Sequence, residues 1–149
     1  MDAITLLKRD HETVNSLFKE YEAAGDRAYE RKKDLFQAIK GELEVHMDVE
    51  EAIFYPAVKS IRKEDIKDEI READEEHNVV KVLIDEISRM RPQDEQYDAK
   101  VTVLRENVEH HVKEEEGDMF PDAKKHLAPE MLVQLGEEME ERKEVLKGD

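Results

Sequence analysis

Residues 46–56 read HMDVEEAIFYP, and residues 111–121 read HVKEEEGDMFP. In each stretch, a histidine is followed by a glutamate four residues later and by a proline ten residues later. Because residues four apart share one face of an α-helix, each histidine lies on the same face as its glutamate. The repeat predicts two similar helices, as in a pseudo-symmetric pair of helix hairpins.

Apolar residues around these stretches recur at steps of three and four, which predicts long amphipathic helices. The four main segments cover about residues 2–24, 27–54, 63–90 and 94–116. Pro56 is expected to stop or kink the second helix, and Gly117 to break the fourth. A further helix begins near Pro129. We therefore predict an all-α fold, an antiparallel up-down four-helix bundle with an additional C-terminal helix, forming a single domain over residues 1–149.

The composition agrees with helices that carry narrow apolar stripes. Charged residues make up 43% of the 149 residues and hydrophobic residues 38%, with a formal net charge of −16. So acidic a surface repels phosphate backbones and anionic lipids, so we expect neither a nucleic-acid partner nor a membrane partner. There is no cysteine, which excludes disulfides, iron–sulfur clusters and thiolate-bound zinc.

The first residues of the chain differ from the pattern of a secretory signal. Residues 1–4 read MDAI, without the basic segment and long apolar run of a secretory signal. No apolar run approaches the length of a membrane span. We expect a cytoplasmic protein.

Polar residues interrupt the apolar stripe of all four predicted bundle helices. They are His11, His46, Glu50, His77, His111 and Glu115. Their distances from the helix ends place them at about one height, with His77 somewhat deeper. Burying six such groups without partners would cost much of a typical folding stability. Mutual hydrogen bonds are one solution; a metal site is the other, because imidazoles and carboxylates together suit iron, manganese or zinc.

The remaining candidates are weaker. His110 points about 100° away from its neighbour and is expected to flank the site. His126 is expected at the surface. Tyr21 and Tyr55 could line the pocket, although core packing explains them equally well.

The chain resembles the hemerythrin-like, or HHE cation-binding, domain family over about residues 2–145. The matching motifs are Asp10-His11, His46-x-x-x-Glu50-Glu51, Glu76-His77 and His110-His111-x-x-x-Glu115-Glu116, with Phe54-Tyr55-Pro56 and Phe120-Pro121 following the two glutamate motifs. The resemblance implies two iron ions, Fe²⁺ or Fe³⁺, in an oxo- or hydroxo-bridged centre. Glu50 and Glu115 would bridge the irons, and the four stripe histidines would be terminal ligands.

The sequence departs from the oxygen-carrying members of that family at two places. Those proteins have a second histidine four residues from the one on the third helix, where this chain has Ala73 and Lys81. They also use an aspartate five residues after the last histidine, where this chain has Glu115 at four and Glu116 at five. We expect a more open coordination sphere, completed by water or by an acid such as Asp74, with Glu116 as an alternative bridge.

These expectations lead to several hypotheses about function. The first is a non-haem di-iron protein that binds or reacts with O2, peroxide or NO. Alternatives are a peroxide-decomposing, catalase-like enzyme at the same centre, and an iron-storage or iron-sensing module. A metal-free bundle that docks on a protein partner is the structural alternative. The expected partner is a small diatomic or peroxide ligand, with room for a redox or protein partner.

Overall fold

The computed structural model describes residues 1–148, and seven α-helices and two π-helical turns form its regular structure. The helices are α1 (Ala3–Ala23), α2 (Tyr29–Val49), α3 (Tyr55–Lys59), α4 (Glu64–Ser88), α5 (Tyr97–Glu114), α6 (Phe120–His126) and α7 (Pro129–Lys147). The first π turn, Glu50–Phe54, joins α2 to α3, and the second, Glu115–Met119, joins α5 to α6. The predicted all-α bundle with an additional C-terminal helix is confirmed.

One end of the bundle shows how the helices run. The Tyr21 hydroxyl at the end of α1 donates to Asp98 at the start of α5, over 2.6 Å. Lys32, near the start of α2, donates to the same carboxylate over 3.0 Å. Lys100 of α5 donates to Glu86, near the end of α4. Starts and ends of successive helices therefore meet at this end, as an antiparallel bundle requires.

The predicted breaks in the second and fourth helices are wrong, because a π turn continues each helix past its glutamate motif. Each helix continues through its glutamate motif to about ten residues beyond, because the wider turn accommodates the following proline. Pro56 and Pro121 are the second residues of α3 and α6, directly after the π turns, where the α-helical hydrogen-bond pattern is already interrupted and a missing N–H costs less than in a regular helix. Gly117 lies inside the second π turn, and the helix passes through it, since one glycine costs only about 1 kcal/mol.

The core consists of two apolar clusters with a polar layer between them. The N-terminal cluster includes Leu7, Phe54, Ile70, Phe120 and Met139. The distal cluster includes Phe18, Phe36, Ile84, Tyr97 and Leu104. On α1, His11 lies between Leu7 of the first cluster and Val14 of the second, and each of the other three long helical segments also places its histidine between the two clusters. The packing thus holds a layer of histidines and glutamates inside the bundle.

The C-terminal helix packs on α1 and α2. Its buried face contains Leu132, Leu135, Gly136 and Met139. A Cβ atom at Gly136 would lie 2.1 Å from the carbonyl oxygen of Met1, so glycine allows α7 to approach the start of the chain closely.

The outer faces carry many ion pairs, such as Arg31 with Glu20 and Arg71 with Asp68. Such exposed pairs typically stabilise a fold by only about 0–1 kcal/mol each. Within residues 1–148, none of the helices has the length and apolar character that crossing a membrane requires.

Candidate metal centre

The six polar stripe residues meet in one buried layer. Their ligand atoms form two groups, each with all atoms within 4.8 Å of one another. The first group is His11, His46, Glu50 and Glu115, and the second is His77, His111, Glu50 and Glu115. The six donors therefore share one layer, and His77, which the sequence placed somewhat deeper, lies level with the rest. Both glutamates belong to both groups, which is the arrangement that two bridged cations need.

Glu50 lies between one histidine of each group. Its Oε1 is 3.2 Å from His46 Nε2 and 3.0 Å from His77 Nε2. Its other oxygen, Oε2, is buried without a hydrogen-bond partner, and so is His46 Nε2. Unpaired buried polar atoms are costly, and a cation beside them would satisfy both.

Glu115 takes the equivalent place on the other side. Its Oε1 is 3.1 Å from His11 Nε2, and its Oε2 is 3.2 Å from His111 Nε2. Glu116, the alternative bridge, lies outside both groups. Its carboxylate instead accepts a hydrogen bond from His11 Nδ1 over 2.7 Å.

Each of the four layer imidazoles is hydrogen bonded through its outer nitrogen, Nδ1, to a carboxylate. Their Nδ1 atoms pair with acids as follows: His11 with Glu116 at 2.7 Å, His46 with Asp10 at 2.8 Å, His77 with Glu51 at 2.7 Å and His111 with Glu76 at 2.6 Å. A carboxylate can only accept, so each Nδ1 carries the proton and each Nε2 is free to bind a cation.

These outer carboxylates form a ring around the bundle. Each is next in sequence to a residue of the inner layer and serves the histidine of the following bundle helix. This role was not identified from the sequence. The available signal was the recurrent pairing of an acid with an inner-layer residue, in Asp10-His11, Glu50-Glu51, Glu76-His77 and Glu115-Glu116.

The carboxylates of this layer favour protonated imidazoles. Burial disfavours the charged imidazole of His46, but the carboxylates of Glu50 and Asp10 outweigh burial and raise its pKa to about 10. Burial would raise the pKa of Glu50, but the charge of His46 holds it well below the usual range. Since a ligating histidine must be neutral, a metal ion has to displace these protons.

Tyr55 contributes a hydroxyl to the middle of the layer. It donates its one proton to Glu115 Oε2 over 2.5 Å, and its oxygen lies 3.2 Å from Glu50 Oε1 and from the Nε2 atoms of both His77 and His111. Burial and the two glutamate charges raise the pKa of Tyr55 well above its usual range. The phenol is thus a proton donor within the second group.

The π turn explains why helical periodicity left the role of Tyr55 open. Its backbone N–H bonds the carbonyl of Glu50, five residues earlier, so the two side chains share a face. In a regular α-helix, a step of five residues would turn Tyr55 well away from Glu50.

One acid and one histidine that the sequence singled out lie outside the centre. Asp74 is exposed and belongs to neither group, so the expectation that it completes the coordination is wrong. Ala73 takes the inward position on that turn of α4. His110, which the sequence predicted to flank the site, is exposed beside it, with its Nε2 3.2 Å from Glu114 and 3.4 Å from Glu76.

A narrow cavity of about 20 Å³ adjoins the histidines on the side of the distal cluster. It is lined by the four layer imidazoles and by apolar side chains that include Val14, Leu43, Met47, Val80, Val108 and Val112. An open groove of about 320 Å³ between α1 and α5 shares four of these lining residues, His11, Val14, Val108 and Val112. The narrow cavity of about 20 Å³ holds about one water-sized molecule.

The fold and the layer together define a class: helical bundles whose core donors suit a metal ion. The mixed imidazole and carboxylate donors, and the unpaired buried atoms on His46 and Glu50, fit such an ion. Residues 2–123 match the Hemerythrin HHE cation binding domain, and the chain belongs to that family.

Several relatives are similar along nearly the whole chain. The uncharacterized protein Rv2633c of Mycobacterium tuberculosis (strain ATCC 25618 / H37Rv) is 30% identical over 149 residues, 99% of this chain and 89% of that protein. A DNA nickase of Nostoc sp. is 27% identical over 143 residues, 96% of this chain, and the match spans 39% of the nickase. The crystal structure of a hemerythrin HHE cation binding domain-containing protein, the Rv2633c homolog from Mycobacterium kansasii, superposes with a TM-score of 0.85 and 26% identity, covering 99% of this chain and 88% of that one.

Proposed function

We propose that the chain is a non-haem di-iron protein that binds or reacts with O2, peroxide or NO in the bundle core. The observation that carries the proposal is the pair of donor groups sharing Glu50 and Glu115. Each group offers two imidazoles and two carboxylates, a donor set suited to iron, and the shared glutamates are placed to bridge two ions. Bound iron would supply an open coordination position and a change of oxidation state.

The surroundings of the layer favour a small ligand. The cavity of about 20 Å³ beside the imidazoles leaves room for a molecule of one or two heavy atoms. Apart from Asp10, its other walls are apolar, which suits O2 or NO better than a charged metabolite. The groove between α1 and α5 shares Val108 and Val112 with this cavity, so movement of these two side chains would connect the cavity to the surface.

Anaerobic loading with ferrous iron tests the proposal. After removal of unbound metal, we expect two iron ions per chain, and exposure to O2 should produce the near-ultraviolet absorption of a coupled ferric pair. Parallel loading with manganese and zinc establishes the preference for iron. A count well above two would favour iron storage instead, and a chain that retains no iron would reject the proposal.

Tyr55 favours a second candidate function, the disproportionation of two peroxide molecules to O2 and two water molecules. This reaction requires protons to move between the peroxide oxygens, and general acids assist such transfers. The Tyr55 hydroxyl holds a proton at the centre of the second group, hydrogen bonded to Glu115. It is therefore positioned to give and regain that proton without help from solvent.

Replacing Tyr55 with phenylalanine tests the role of its hydroxyl. If peroxide is a substrate, Tyr55→Phe should lower the rate of O2 release by about 10²–10⁴-fold, the usual contribution of a general acid or base, with iron still bound. Tyr97→Phe is the matched control, since Tyr97 is equally buried but lies in the distal cluster. Equal rates in both variants would exclude the hydroxyl from catalysis.

The similarity to the nickase does not lead us to propose DNA cleavage here. A net charge of −16 opposes the approach of a phosphate backbone. Incubating the iron-loaded chain with supercoiled plasmid checks this, and we expect no relaxed product above the level of free iron.

A further inference from the structure

The packed face of α7 ends in a charged residue. Leu132, Leu135 and Met139 are buried along this face, and Lys143 follows one turn after Met139. The Lys143 side chain is only 18% exposed, and its ammonium group donates to Asp10 Oδ1 on α1. Removing the charge of a lysine from water is costly, so a lysine shielded at the end of an apolar face is expected to make a specific interaction.

The partner of Lys143 is one of the four outer carboxylates. Asp10 Oδ2 accepts from His46 Nδ1 over 2.8 Å, while Oδ1 accepts from Lys143. The lysine and the histidine therefore hold the two oxygens of one carboxylate and fix its plane. These two hydrogen bonds link Lys143 on α7 to Asp10 on α1 and then to His46 on α2. The Nε2 atom of His46 belongs to the first group.

Asp10 is the outer carboxylate that most needs such a partner. Its side chain is 8% exposed, whereas Glu76 is 17% exposed and Glu116 and Glu51 are more than a third exposed. Water can therefore replace the surface lysine of Glu51, Lys81. Water cannot readily replace Lys143, and without it Asp10 would be a buried carboxylate with one oxygen unpaired.

We propose that Lys143 is a positioning residue for the first metal position: it fixes Asp10, which orients the imidazole of His46 toward the ion. The C-terminal helix would then be part of the metal centre, although it lies beyond the residues that match the cation-binding domain. The inference rests on the proposed metal function. In addition to packing on the bundle, α7 would thus help to orient a metal ligand.

Cobalt(II) loading of the full chain tests the inference without depending on iron chemistry. The release of Co²⁺ to excess chelator is followed, together with the visible spectrum of the bound metal. Lys143→Met should speed the release of one of the two ions by about tenfold, the lower end of the usual range for outer partners of a ligand. Its spectrum should change, because the geometry around His46 changes.

Three further variants separate positioning from general stability. Lys143→Arg keeps the cation and should release Co²⁺ like the unmodified chain. Lys147→Met, one turn further along α7, removes an exposed lysine that contacts Glu42 and should have no effect. In an Asp10→Asn background, Lys143→Met should add nothing, because the connecting carboxylate is already altered.

Two results would overturn the inference alone. They are an unchanged release rate in Lys143→Met, and an effect of the same size in the Asp10→Asn background. In both cases an unmodified chain that binds two Co²⁺ would leave the proposed metal function standing. An unmodified chain that binds no Co²⁺ would reject that function and the inference together.

Discussion

At the scale of single residues, the neighbours Glu115 and Glu116 have different surroundings. Glu115 is almost fully buried and lies between His11 and His111, whereas Glu116 is 38% exposed and its carboxylate pairs with the outer nitrogen of His11. Of these two adjacent residues in the π turn, Glu115 is thus an inner-layer donor and Glu116 an outer carboxylate that hydrogen bonds a histidine. The two residues form a matched pair for mutation.

Glu115→Gln should abolish binding of two metal ions, because the amide lacks the charge and the second oxygen donor that a bridge requires. Glu116→Gln should still bind two ions, with affinity about 10–100-fold weaker, since only an outer partner is changed. Metal analysis after anaerobic iron loading and desalting distinguishes them. If Glu115→Gln retained two ions per chain, Glu115 would not be a bridge.

The sequence was sufficient to find the inner layer, since each of its residues interrupts an apolar stripe at helical spacing. It was not sufficient for Tyr55, Asp10 or Lys143. Tyr55 enters the layer through a change of helical period, which residue types alone do not reveal. Asp10 and Lys143 are 133 residues apart, and the packing of α7 on α1 brings them together.

At the scale of elements, the glycines illustrate how packing decides the effect of one residue type. Gly41 lies on an exposed turn of α2, where an added Cβ would contact nothing within 4 Å. Gly136 lies where α7 meets the backbone of the first residues. The sequence placed Gly41 inside a helix but could not show whether its neighbours required it.

Gly41→Ala should raise the free energy of unfolding by about 1 kcal/mol, because alanine loses less backbone entropy on forming a helix. Gly136→Ala should lower it by about 1–3 kcal/mol, since the backbones must separate to admit the methyl group. Urea unfolding followed by circular dichroism measures both changes. Equal shifts in the two variants would show that the close approach of α7 does not matter.

The contact between α4 and α6 should make stability depend on pH. Burial, and then the hydrogen bond and charge of Asp122, raise the pKa of Glu69 from 4.5 to about 8. The folded chain therefore binds one proton more than the unfolded chain between these values, so this contact loses stability as the pH rises through that window.

Glu69→Gln keeps a hydrogen-bond donor toward Asp122 but removes the charge. Its melting temperature relative to the unmodified chain should therefore increase between about pH 5 and about pH 8.5. Thermal unfolding of both proteins at the two pH values measures this difference. A difference that does not change with pH would contradict the assignment of a shared proton to this pair.

At the scale of the whole molecule, the bundle consists of two apolar halves joined through a layer of ionisable groups. The positions of the four long helices, the additional helix and the height of the layer all followed from apolar periodicity. The uninterrupted passage through Pro56 and Gly117 did not, because packing beyond each motif and the π turns outweigh local helix-breaking tendencies. The layer itself is held by protons or by cations, so metal should affect the stability of the entire fold.

Removing metal should lower the melting temperature. A ligand present at about 100 times its dissociation constant adds about 2.7 kcal/mol, which corresponds to roughly 5–10 °C for a chain of this size. The difference between metal-loaded and chelated protein should shrink toward about pH 5, because protonated imidazoles do not bind metal. Identical melting curves at neutral pH would favour the metal-free alternative.

The central claim is that two cations lie between Glu50 and Glu115 in the core. Anomalous diffraction at the iron absorption edge, from crystals of the iron-loaded chain, tests it most directly. We predict two peaks per chain, about 3.5–4 Å apart as in other two-metal sites, one beside His11 and His46 and the other beside His77 and His111. The absence of any peak in this layer, or iron found only on the acidic surface, would contradict the account.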